Sequence, residues 1–144
     1  MLRLVLDTQI WLDWLVFDDP GVRLLRDAVQ LGRAEICIDA ACDAELERVL
    51  AYDLGRHSLM PAARTAALEQ ARRLARRIEN MLTPAERASL PRCRDRDDQI
   101  FLDAALAARA DVLVTKDRAL LELNRRRTRA LPFRIALPKS VLGT

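Results

Sequence analysis

The sequence predicts a three-layer α/β sandwich in which a central parallel sheet is flanked by helices. Three observations predict it. Short apolar runs of strand length alternate with longer segments whose apolar residues recur at helical spacing. The joints between them carry aspartate, proline and glycine, which cap helices and close turns. At 144 residues with 51% hydrophobic content, the chain is long enough for one substantial core and short for two, so a single domain over 1–144 is expected.

The elements follow in order. Leu2, Leu4, Val5 and Leu6 form an apolar run that stops at Asp7-Thr8, which predicts a buried strand followed by a helix cap. Gln9 to Phe17 reads as helix. Asp18-Asp19-Pro20-Gly21 interrupts it, and Val22 to Leu31 resumes before Gly32. Glu35 to Asp39 predicts a second strand, and Ala40 to Leu54 a helix with Cys42, Leu46, Val49 and Leu50 on one stripe, ended by Gly55. Pro61 to Leu82 reads as one long amphipathic helix with Arg72, Arg73, Arg76 and Arg77 clustered on it. Thr83 to Asp97, broken by Pro84 and Pro91, is expected to be an irregular connection with one short helical turn. Asp98 to Ala110 is helical, Val112 to Thr115 a buried strand and Asp117 to Asn124 another helix. After the Arg125 to Arg129 turn, Phe133 to Leu137 supplies the last strand.

Composition narrows the function classes. Aromatics are 4% of residues, so the core is aliphatic. The net charge of +3 rests almost wholly on arginine, because Lys116 and Lys139 are the only lysines. Arginine suits phosphate through its planar, bidentate fork, although composition alone does not establish nucleic-acid binding. Cys37, Cys42 and Cys93 are odd in number and lack metal-site or redox-pair spacing, which predicts reduced thiols and a cytoplasmic protein. Neither a signal-peptide pattern nor an apolar stretch of membrane length is present, so no membrane association is expected.

In an open parallel sheet, functional residues gather beyond the carboxyl ends of the strands. Asp7 closes the first strand and Asp117 follows the third. Asp98 begins the helix leading into that third strand, and Glu45 lies in the first turns after the second. Each acid alone reads equally as a cap, a dipole partner or a solvated side chain. Together they are predicted to converge at one edge, and clustered carboxylates require a cation. Oxygen-only ligands suit Mg²⁺ or Mn²⁺, whereas zinc would recruit histidine or cysteine; the only histidine, His57, lies elsewhere.

The segments LVLDT (Leu4 to Thr8), AELERVL (Ala44 to Leu50) and RDRDDQIFLDAALAARADVLVTKD (Arg94 to Asp117) resemble the PIN-domain family. Within it they are similar to the VapC-like ribonucleases of toxin-antitoxin systems. The resemblance implies a PIN-like fold and a metal-dependent endoribonuclease cleaving single-stranded RNA. It makes Asp7, Glu45, Asp98 and Asp117 the catalytic, metal-binding set, with Thr115 as a supporting hydroxyl and Asp97 an ambiguous neighbour. An antitoxin partner and a homodimer are further implications, the latter also suggested by the apolar Trp11, Trp14, Leu15 and Phe17 helix. Family members often carry Asn or Ser two positions after the first Asp, where this chain has Gln9.

Arg92, Arg94, Arg96 and Lys116, with the Arg125 to Arg129 turn, are candidates for contact with the RNA backbone. Two other readings compete. One is a PIN-like RNA-binding or interaction module whose acids do not assemble. The other is a haloacid-dehalogenase-like phosphohydrolase, which needs a second aspartate where Gln9 stands. A Rossmann dinucleotide enzyme is disfavoured because no G-x-G-x-x-G follows the first strand.

Overall fold

The structure is a computed structural model that describes residues 1–52, 57–125 and 131–142. Five strands form one sheet: β1 (Leu2–Leu6), β2 (Ala34–Ile38), β3 (Ala75–Arg77), β4 (Val112–Val114) and β5 (Arg134–Ala136). Their order is β3-β2-β1-β4-β5, and every neighbouring pair is parallel. The sheet is flanked by α1 (Thr8–Leu15), α2 (Arg23–Gln30), α3 (Ala40–Leu50), α4 (Pro61–Leu74), α5 (Pro84–Ala88), α6 (Gln99–Ala107) and α7 (Arg118–Leu121), giving the expected three-layer α/β architecture.

β1 occupies the middle of the sheet, and its Leu4, Val5 and Leu6 are all buried, as a strand covered on both faces requires. Its register against β4 sets Leu6 beside Val114. One residue further on, the Asp7 amide donates to the Val114 carbonyl at 3.1 Å, so the ladder continues until the two chains diverge. The carboxyl ends of β1 and β4 are therefore adjacent, and each chain leaves its strand through an aspartate that caps a helix. Asp7 accepts from the Ile10 amide at 3.0 Å, and Asp117 accepts from the Ala119 amide at 2.8 Å. Asp39 does the same for α3, accepting from the Cys42 amide at 3.0 Å.

One expectation is corrected. Pro61 to Leu82 is not a single helix: α4 ends at Leu74, and Ala75–Arg77 become β3, pairing with Ile36, Cys37 and Ile38. Leu74 and Ile78 lie four residues apart, a spacing that places both on one face of either a helix or a strand, so apolar periodicity does not separate the two. The exposed N–H and C=O edge of β2 decides it, since three residues of pairing satisfy backbone groups that a longer helix would leave open.

Smaller differences lie at element ends. The described part of the helix expected over Ala40 to Leu54 closes at Leu50, while Leu54 and Gly55 lie outside the described residues, as do Arg126, Arg127 and Arg129. The Thr83 to Asp97 connection contains α5, opened by a capping box between Thr83 and Glu86, and its end tightens into a 3₁₀ turn over Arg96–Asp98. Trp11 and Trp14 are 2% and 6% exposed, so they pack inside the chain instead of offering a surface for self-association. Among the described residues no helix is long and apolar enough to cross a membrane.

Candidate active site

A cavity of about 370 Å³ opens beyond the carboxyl ends of β1 and β4, and Asp7, Glu45, Asp97, Asp98 and Asp117 all line it. The strand register accounts for the first and last of these acids. Since Leu6 lies beside Val114, Asp7 lies beside Thr115, whose hydroxyl donates to the Asp7 carboxylate. The same hydroxyl accepts from the Asp117 amide at 2.9 Å. Thr115, fully buried, thereby ties the carboxylate after β1 to the backbone of the residue that carries the other acid.

Asp98 arrives from the opposite direction, at the end of the 3₁₀ turn that runs into α6. Glu45 reaches the cavity from the second turn of α3, and Asp97 is exposed at its rim. The electrostatics follow from this crowding. Burial is the main force that pushes the Asp7 carboxyl up to about 6, opposed by the Thr115 and Ile10 donors and helped by the charge of Asp117. Asp98 is pushed up to about 7, first by burial and then by the Asp117 and Asp95 charges and a shared hydrogen bond with Asp117. Carboxylates that hold protons near neutrality are groups that a cation would stabilise in their charged form.

Glu45 stands apart in one respect. Its carboxylate pairs with the Arg48 guanidinium at 2.5 Å, and that guanidinium also lies over the Tyr52 ring at 5.7 Å. Sequence reasoning missed Arg48, although the three-residue Glu-Arg spacing on a helix was a readable signal. Among the described residues no three His, Cys, Asp or Glu side chains are grouped closely enough to hold a metal ion. The acids thus share a cavity without forming a cage. Their chemistry still fits Mg²⁺ or Mn²⁺, because such ions are held by one or two carboxylates and keep several waters. His57 packs edge-on against Phe17 at 5.0 Å and does not line the cavity.

The neighbours of the acids also have defined partners. The Gln9 side chain donates to Asp13 at 3.0 Å, and the Lys116 ammonium pairs with Asp13 at 2.5 Å and with Asp19 at 3.4 Å. Lys116 lines the cavity with its charge already shared between two aspartates. Gln9 supplies an amide where a dehalogenase-like phosphohydrolase needs a carboxyl group. Arg92, Arg94 and Arg96 are exposed along the loop that leads to Asp98.

Compared with known protein families, residues 3–119 match the PIN domain, a span running from β1 to Arg118-Ala119 in α7 and containing all four candidate acids. The chain belongs to the PIN domain family. No curated protein matches the chain. Among solved structures, this PIN domain is similar to a chain in the crystal structure of VapBC2 from Rickettsia felis bound to a DNA fragment from their promoter. The TM-score is 0.61 at 16% identity, covering 93% of this chain and 97% of that one. That likeness in fold covers more of the chain than the matched family segment does.

Proposed function

We propose that this PIN domain is a Mg²⁺- or Mn²⁺-dependent endoribonuclease that cleaves single-stranded RNA, acting as the toxin of a toxin-antitoxin pair in the cytoplasm. The observation that carries the nuclease reading is the convergence of Asp7, Glu45, Asp98 and Asp117, from four separate stretches of chain, on one cavity of a PIN domain. Asp7, Asp98 and Asp117 would hold the ion, and Glu45 would join them on release from Arg48. When bound, the ion supplies positive charge to the phosphodiester and acidifies water beside it. The chain's own part is to position. Thr115 fixes the Asp7 carboxylate, Lys116 anchors the segment bearing Asp117 to α1 through Asp13, and the exposed Arg92, Arg94 and Arg96 lead the RNA backbone towards Asp98.

The fold shared with a VapBC2 chain supports the toxin reading. A small antitoxin protein is the partner it implies, and the resemblance to the family adds a second copy of this chain. Expression of the chain alone should arrest growth, and co-expression with a small protein encoded beside it should relieve the arrest; unimpaired growth in both cultures counts against the toxin role.

A non-catalytic RNA-binding reading is favoured by one observation, the Glu45–Arg48 ion pair that turns one acid aside. Incubation with a mixed single-stranded RNA pool separates the two. Cleavage in Mn²⁺ or Mg²⁺ that stops on chelation supports the nuclease, retention of intact RNA under all conditions supports the binding module, and cleavage that persists in chelator overturns the metal mechanism.

A further inference from the structure

A second cavity, about 720 Å³, lies on the same edge of the sheet beyond β2 and β3. We infer that it holds a base of the RNA next to the scissile phosphate and selects guanine through Asp103 and Arg87. The inference rests on the nuclease reading for its substrate, and on the cavity's own chemistry for the rest.

The two cavities share their walls. α3 lends Ala40 and Ala41 to the second and Glu45 to the first; α6 lends Ile100 and Asp103 to the second and Phe101 to the first, with Asp98 just before it. They therefore open next to each other along the same two helices, where neighbouring nucleotides of one strand can enter both. The volume falls inside the usual range for small-ligand sites, about 300–1,000 Å³. Ile78, Met81 and Ile100 give apolar faces against which a base can lie, and Met81 is 80% exposed at the mouth, a flexible thioether in water.

The polar groups are placed, not scattered. The Asn80 amide donates to Asp39 at 3.0 Å, and Asp39 also caps α3, which fixes one wall. Arg77 has its charge committed to Asp43 at 3.3 Å. Glu79 and Asp103 supply further carboxylates to the lining and Arg87 a guanidinium, with Asp103 also hydrogen-bonded to the Gln99 side chain. Burial raises the Asp103 carboxyl while the Arg87 charge lowers it, so the two are electrostatic neighbours. Guanine presents two adjacent N–H donors on its Watson–Crick edge and the O6 and N7 acceptors beside them. A carboxylate next to a guanidinium is complementary to that pattern, whereas uracil has a single N–H between carbonyls and adenine lacks the O6 acceptor.

The test is binding of GMP, AMP, CMP, UMP and inorganic phosphate to the full chain carrying Asp7→Asn, in chelator, followed by amide NMR. GMP should bind at least about tenfold more tightly than the other nucleotides and shift the amides of residues 78–81 and 99–103, and phosphate should leave those amides in place. Adding Asp103→Asn, which is nearly isosteric, or Arg87→Gln, which is on the surface, should abolish the preference with the amide dispersion retained. Equal binding of all four nucleotides, GMP shifts confined to the Asp7 cavity, or a preference unchanged by both substitutions would overturn the inference. The outcomes separate from the parent reading: a chain that binds GMP here but cuts no RNA keeps the subsite and sinks the nuclease, and one that cuts RNA but treats the four nucleotides alike does the reverse.

Discussion

Thr115 has no charge and no freedom, yet two acids depend on it. Its hydroxyl donates to Asp7 and accepts from the Asp117 amide, all at a fully buried position. Thr115→Val keeps the shape and removes both bonds, leaving a buried carboxylate and an amide without that partner. The expected loss of stability is about 1–3 kcal/mol, checked by denaturant unfolding, and Thr115→Ser should recover most of it. Asp7→Asn has the opposite balance. The amide is nearly isosteric, the Ile10 cap bond to a side-chain oxygen survives, and one charge leaves a crowded site. The metal-free melting temperature should hold or rise while RNA cleavage falls by at least about a hundredfold, the scale of losing a metal-positioning group. Asp27→Asn, on the outer face of α2, is the control. An Asp7→Asn protein as active as that control would sink the assignment of Asp7.

At the scale of elements, the junction of α4 and β3 carries the clearest test. Arg72 grips Asp43 through two hydrogen bonds of 3.0 and 2.8 Å, and Arg77 approaches the same carboxylate at 3.3 Å, so helix and strand are both tied to α3. Arg72→Ala with Arg77→Ala strips a poorly exposed carboxylate of both cations. Because the arginines are half exposed, the expected cost is on the order of 1–2 kcal/mol, read as a lower denaturation midpoint. The same junction shows what the sequence could and could not convey. Strands β1, β2 and β4 are legible because each is an apolar run, the first two stopping directly at an aspartate and β4 three residues before Asp117, and the four acids are legible because strand ends and helix starts fix where they lie. β3 is not legible: Ala75-Arg76-Arg77 has no β-branched residue and no apolar run, and becomes a strand only because β2 offers an edge. The pairing of Glu45 with Arg48 was open to helical spacing, but its effect on the site depends on the direction of the side chains, which spacing alone does not set.

For the whole molecule, stability should follow the raised carboxyls, Asp7 and Asp98 foremost and Asp103 in the same direction. Asp7 at about 6 and Asp98 at about 7 stand above their ordinary 3.8, so the folded state favours their protonated forms. Their contribution is fully present at low pH and is lost as pH rises through roughly 6 to 7. In chelator the melting temperature should therefore fall by a few degrees between about pH 5 and pH 8. Asp19, Asp43 and Glu86, all held below their ordinary values, act at more acid pH, outside this window. Divalent metal should reverse the fall at pH 8, adding about 2.7 kcal/mol at a hundred times its dissociation constant, and a flat profile in both conditions would show that the two acids do not control stability. The adjacency of β1 and β4 bears on synthesis as well. Asp7 and its partner Thr115 are 108 positions apart along the chain. A ribosome reading this message must finish β4 and reach Asp117 before the cleft has its last wall, so translation that stops early releases a fragment in which the Asp7 carboxylate lacks its Thr115 partner.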